Sequence, residues 1–124
     1  MDAAFLENYR FLARYNRWMD LRLYDACEAL SDEERKRQRG AFFGSIHHTL
    51  THLVLADRMW LHRFALQQTS FAALSAAALA LPEGSDYTSE LYPDWQDLRQ
   101  TRVALDDVIE RWLSEMTPDF LIRT

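Results

Sequence analysis

Between Phe5 and Ala26 the apolar residues Phe5, Tyr9, Leu12, Tyr15, Met19, Leu23 and Ala26 return every three or four positions, while Arg10, Arg14, Arg17 and Arg22 fall between them. That spacing forms one stripe on an α-helix, where residues three and four apart lie one turn above another. On a strand the same side chains would scatter over both faces. An amphipathic helix is therefore expected from Phe5 to Leu30, with these seven residues as its apolar face.

Ser31-Asp-Glu-Glu34 has the pattern of a capping box and opens a short helical piece. Gly40 and Gly44 punctuate the connection, and Ser45 can cap a second long helix running to about Phe64. In that helix Ile46, Leu50, Leu53, Val54, Leu61 and Phe64 make the main apolar face, with His52, Ala56 and Met59 to one side. Residues 67–92 are less patterned: Phe71 to Leu81 is an Ala-rich piece that could form a short helix, before a loop at Pro82-Glu-Gly84. A third long helix is expected from about Pro93, through Leu98, Leu105, Val108, Ile109, Trp112 and Met116, with Thr117-Pro118 ending it. Residues 119–124 read as the start of a connection. No internal repeat, heptad array or Gly-rich phosphate loop interrupts this order.

A chain of 124 residues with 48% hydrophobic and 27% charged residues has the balance of a folded protein, and its length suits one domain spanning 1–124. Three Gly and three Pro are few for a turn-rich β fold, so the class is all-α. One cysteine, Cys27, precludes an internal disulfide and reads as a small core residue. The N-terminus lacks a basic segment leading into an apolar run, and no stretch approaches the ~20 apolar residues of a membrane span, so a cytoplasmic protein is expected. A net charge of −5 argues against general nucleic-acid binding. The basic cluster Arg35-Lys-Arg-Gln-Arg39 follows Asp32-Glu-Glu34 and reads as a solvated, self-compensating turn, with contact to a phosphate or anionic substrate as the alternative.

Chemistry concentrates in the second helix, where His47, His48 and His52 lie close together. Neutral imidazole is a common ligand for late divalent metals, and bundles build such sites from inward side chains on facing helices. His48 and His52 are four apart and project from one face, but the acidic neighbour of an H-E-x-x-H zinc motif is missing. Further ligands would have to come from Asp20, Asp25 or Glu28, and structural histidines are the commoner case. His47 and His62 fall on more polar faces and read as solvated or capping groups. Asp57 leans toward the apolar side and needs a partner, most simply an arginine or tyrosine hydroxyl of the first helix. Asn16 and Trp18 read as packing residues.

Taken together, Ala13-Arg-Tyr-Asn16-Arg-Trp18, Ala29-Leu-Ser-Asp-Glu-Glu34 and Gly40-Ala-Phe-Phe-Gly-Ser-Ile-His47, running into Thr49-Leu-Thr-His52-Leu-x-x-Ala-Asp57-Arg-x-Trp60, resemble the DinB family of bacterial damage-inducible proteins, which includes the YfiT-like proteins. The resemblance is strongest over residues 8–64 and fainter in the third helix. It implies an up-down-down-up four-helix bundle, usually a homodimer, holding nickel, zinc, iron or manganese on three histidines. The first of these ligands corresponds to His52. The other two belong to a His-x-x-x-His motif on the fourth helix, and no such motif follows in this sequence. Only the first three long helices of the bundle are therefore expected here, with a groove left for a partner or a second copy. His48 stands where relatives commonly have a small residue, and Asp20 where they often have asparagine.

Two functions follow as expectations. One is a divalent-metal-dependent hydrolase or thiol transferase acting on a small molecule, with His52 as a ligand and Asp57 and Trp60 in support. The other is a noncatalytic helical dimerisation or interaction module.

Overall fold

The computed structural model describes residues 3–67, 71–75, 79, 81–86 and 89–119. Its long helices are α1 (Ala3–Glu28), α3 (Ile46–Gln67) and α4 (Trp95–Glu115), with a short α2 (Asp32–Lys36) and a 3-10 turn at Ala72–Leu74. The described residues contain no strand, so the all-α expectation holds. No helix among them is long and apolar enough to cross a membrane.

Local signals start the helices. Ser31 Oγ accepts from Glu34 N at 3.1 Å while Glu34 Oε1 accepts from Ser31 N at 3.0 Å, completing the capping box. Ser45 Oγ accepts from His48 N at 3.0 Å and caps α3. The Asp94 carboxylate caps α4, accepting from Asp97 N at 3.1 Å, so that helix begins two residues later than proline alone indicates. Gly44 closes the turn before α3 at φ +85°, where a Cβ would also press to 2.5 Å from the Gln38 side chain. Of the Ala-rich piece, Ala72–Leu74 forms one 3-10 turn, while 76–78 and 80 lie outside the described residues, as do 120–124.

α4 is the spine. It packs against α1 on one side and α3 on another, whereas α1 and α3 make little contact with each other. Leu98, Val54, Leu55 and Leu79 are completely buried, and Tyr24 stacks on Trp95 with ring centroids 5.4 Å apart.

The apolar face expected of α1 is not the face it buries. Phe5, Tyr9, Leu12, Tyr15, Met19 and Leu23 are all exposed, as is Trp18 at 52%. The buried positions are Leu6, Ala13, Tyr24 and Cys27, with Arg10, Arg17 and Asp20 half-buried among them. This side meets α4 largely through charge. Arg10 Nε donates to Leu113 O at 3.0 Å, satisfying a carbonyl near the end of α4. Arg17 pairs with Glu110 at 2.9 Å, and Arg99 of α4 pairs with Glu28 at 3.0 Å and with Asp25. The apolar stripe thus lies beside the α1–α4 contact, exposed and outside it. On α3 the stripe Leu53, Asp57, Trp60 and Phe64 runs at helical spacing, and its three apolar members are also exposed although Leu53 and Phe64 read as core. Periodicity identified both stripes but could not say whether this chain covers them.

The basic cluster also departs from a purely solvated turn. Arg35 is buried, its guanidinium 4.4 Å from the centroid of the Trp95 ring, and it donates to the carbonyls of Cys27, at 3.1 Å, and Leu30. One side chain thereby ties α2 to the end of α1 and the start of α4. Arg35→Ala is expected to lower unfolding stability by about 1–3 kcal/mol, through buried carbonyls left without a donor and a lost cation–π contact. Urea unfolding followed by circular dichroism measures it, with exposed Arg37→Ala as the near-neutral control.

Candidate functional site

The most concentrated buried charge lies where α1, α3 and α4 meet. Arg102 projects from α4 at a position that continues the stripe Leu98, Leu105, Ile109, and it is only 5% exposed. Its Nη2 contacts Asp57 Oδ2 of α3 at 2.6 Å and Asp106 Oδ1 at 2.9 Å, while its Nε stands 3.4 Å from Asp20 Oδ2 of α1. Three helices each supply a carboxylate to one guanidinium. Asp57 therefore has its arginine, but from the third long helix and not the first. Its side chain remains 40% exposed and sits on the α3 stripe between Leu53 and Trp60. Asn16 donates to Asp20 at 3.5 Å from the same side.

Charge at this junction is unbalanced, with three carboxyl groups and one cation. Burial pushes Asp106 up to about 7, a rise opposed by Arg102 and reinforced by the hydrogen bond and charge of Asp20. Near neutral pH Asp106 can accordingly hold or release a proton within this cluster.

The histidines do not converge here. His52 lies against Phe43, the rings stacked at 3.9 Å with an interplanar angle of 22°. Five residues on an α-helix is about 140° of net rotation, which separates His52 from the Asp57 face. His48 Nε2 is 3.7 Å from Glu90 Oε1. His47 is 1% exposed, not solvated: its Nε2 donates to Tyr92 O at 2.6 Å. Burial holds its pKa below the usual imidazole value, against the pull of that hydrogen bond. His47 is inward because it shares its turn with buried Leu50, Thr51 and Val54, a placement that its polar neighbours in sequence obscure. Asp25 and Glu28 are engaged by Arg99, and Asp20 by Arg102, which removes them as partners for His52. Among the described residues no three His, Cys, Asp or Glu side chains group to hold a metal ion. Cys27 is a buried thiol whose pKa burial raises, as a core cysteine's should be.

A concavity of about 700 Å³ is lined by Arg58, Tyr92, Asp97, Thr101 and Arg111 among others, and neither His52 nor the three aspartates line it. Arg58 donates to the Tyr92 hydroxyl at its edge.

The described fold is all-helical, with His52 on α3 and a charged junction between the long helices. The model of the DinB family matches residues 5–122, nearly the whole chain. The chain belongs to the DinB family. No curated protein and no solved structure matches it. Within this DinB chain, Arg102 and Asp106 are the residues that motif reading passed over. Their signal was present: an i, i+4 Arg–Asp pair whose arginine interrupts an otherwise apolar helical stripe.

Titration of the junction has a definite sign. Asp106 has a folded pKa of about 7 against about 3.9 unfolded, so the folded state binds the extra proton between these values and stability falls as pH rises through them. His47 acts oppositely. Its depressed pKa leaves the unfolded state with the extra proton just below about 6.5, so stability falls as pH drops below that value. Asp106→Asn should remove the first dependence and keep the second. The stability of wild type relative to this variant is expected to decline from pH 5 to about 7 and then level off, measured by urea unfolding at each pH.

Proposed function

We propose that this DinB-family chain forms a single helical-bundle domain whose space between α1 and α3 is closed by a further helix, and that the assembled bundle is a divalent-metal-dependent hydrolase or thiol transferase acting on a small molecule. What supports this reading is the inversion of α1. It turns Arg10, Arg17 and Asp20 toward α4 and leaves Leu12, Met19 and Leu23 exposed, while α3 exposes Leu53, Trp60 and Phe64. Two exposed apolar stripes, on helices that scarcely touch each other, favour an amphipathic helix as their cover. A second copy of the chain is the proposed source, giving a homodimer.

His52 is the proposed ligand this chain contributes, with nickel, zinc, iron or manganese as the ion and the remaining donors coming from outside the described residues. A bound metal would supply Lewis acidity, lowering the pKa of a coordinated water or thiol. Metal content of tag-free protein, measured by elemental analysis, is expected near one ion per chain or per dimer and to be lost in His52→Ala. Equal metal in both proteins would remove His52 from the site, and no metal in either would leave the enzyme reading without support.

A noncatalytic dimerisation module is the second reading, favoured by the stacking of His52 flat on Phe43. It predicts a dimer indifferent to chelator. Under both readings Met19→Glu, which places a charge in the exposed stripe, is expected to shift the chain toward monomer in analytical ultracentrifugation while the helical signal is retained. An unchanged assembly would show that the stripe is not the interface.

A further inference from the structure

At the foot of the charged junction one buried hydroxyl makes no hydrogen bond. Tyr24 is 3% exposed and fixed by its stack on Trp95, yet its Oη has no partner among the described residues. Tyr24 lines a cavity of about 10 Å³ together with Asp20, Arg99, Arg102, Val103 and Asp106. Arg102 Nε is likewise buried without a hydrogen bond, its approach to Asp20 being a 3.4 Å ion pair. Buried donors are seldom left unmade, and a polar cavity of roughly 10–15 Å³ holds one water when two to four groups can bond it.

We infer that a single water molecule is bound in this cavity, linking Tyr24 and Arg102 to the carboxyl groups of Asp20 and Asp106. The donor and acceptor count selects water. Tyr24 O–H and Arg102 Nε–H are two donors that its oxygen accepts, and the two carboxyl groups accept its two hydrogens. A monovalent cation could accept neither donor and would sit against the guanidinium, while an anion, although Arg17 and Arg99 also line the space, would give the two carboxyl groups no donor.

The test counts long-lived internal waters in the whole chain by oxygen-17 and deuteron magnetic relaxation dispersion, for wild type and Tyr24→Phe. This variant keeps the ring and its stack and removes only the hydroxyl. Wild type is expected to show a long-lived water that Tyr24→Phe loses or exchanges about ten-fold faster or more. Identical dispersion in the two proteins would overturn the assignment. A crystal structure of wild type soaked in a thallium salt gives an independent reading. A lone oxygen at about 2.6–3.2 Å from both Tyr24 Oη and Arg102 Nε is expected. An anomalous thallium peak there, or a Tyr24 hydroxyl bonded directly to a carboxylate with nothing between, would refute it.

Discussion

Arg102 is the constraint around which the long helices are arranged. A guanidinium almost wholly removed from water is tolerable only when counter-charges surround it, and here they come from α1, α3 and α4 at once. Because α1 and α3 scarcely touch, their mutual placement is set through this side chain and the α4 backbone beneath it. The arrangement carries an electrostatic cost, since a third carboxyl group exceeds what one cation can neutralise. Burial is the main reason Asp106 holds its proton far above the ordinary carboxylate range, and the neighbouring Asp20 adds to it.

The same geometry explains why the candidate site has two distinct parts. The charged junction joins Asp20, Asp57 and Asp106 through Arg102, whereas His52 sits on another flank of α3 against Phe43. Membership of the DinB family draws attention to the histidine, and the packing draws attention to the aspartates. The carboxyl groups nearest in sequence to a plausible metal role, Asp20, Asp25 and Glu28, are all committed to arginines of α4. Their work in the described fold is to hold α1 in place.

Helix positions, the Ser31 and Ser45 caps and the core role of Cys27 were legible in the sequence because each depends on a few neighbouring residues. The orientation of α1 was not. A periodic stripe states that a face is apolar, and it is silent about which neighbour covers it, so Leu12 and Met19 read as core although they are exposed. Asp57 was recognised as needing an arginine, but its partner lies 45 positions away on a helix whose placement only tertiary structure supplies. His47 was misread for a related reason: its burial depends on Tyr92, whose carbonyl reaches it from the segment before α4.

The ionic character of the α1–α4 contact bears on how the two helices find their alignment. Apolar knobs tolerate sliding, since one methyl group substitutes readily for another. Arg10, Arg17, Asp20, Asp25 and Glu28 meet partners spread from Arg99 to Leu113, so a slip of one turn, about 5.4 Å, would part all of them together. The contact works as a vernier scale, with charges as its graduations: it admits one register, and that register fixes where the exposed stripe of α1 stands along the molecule.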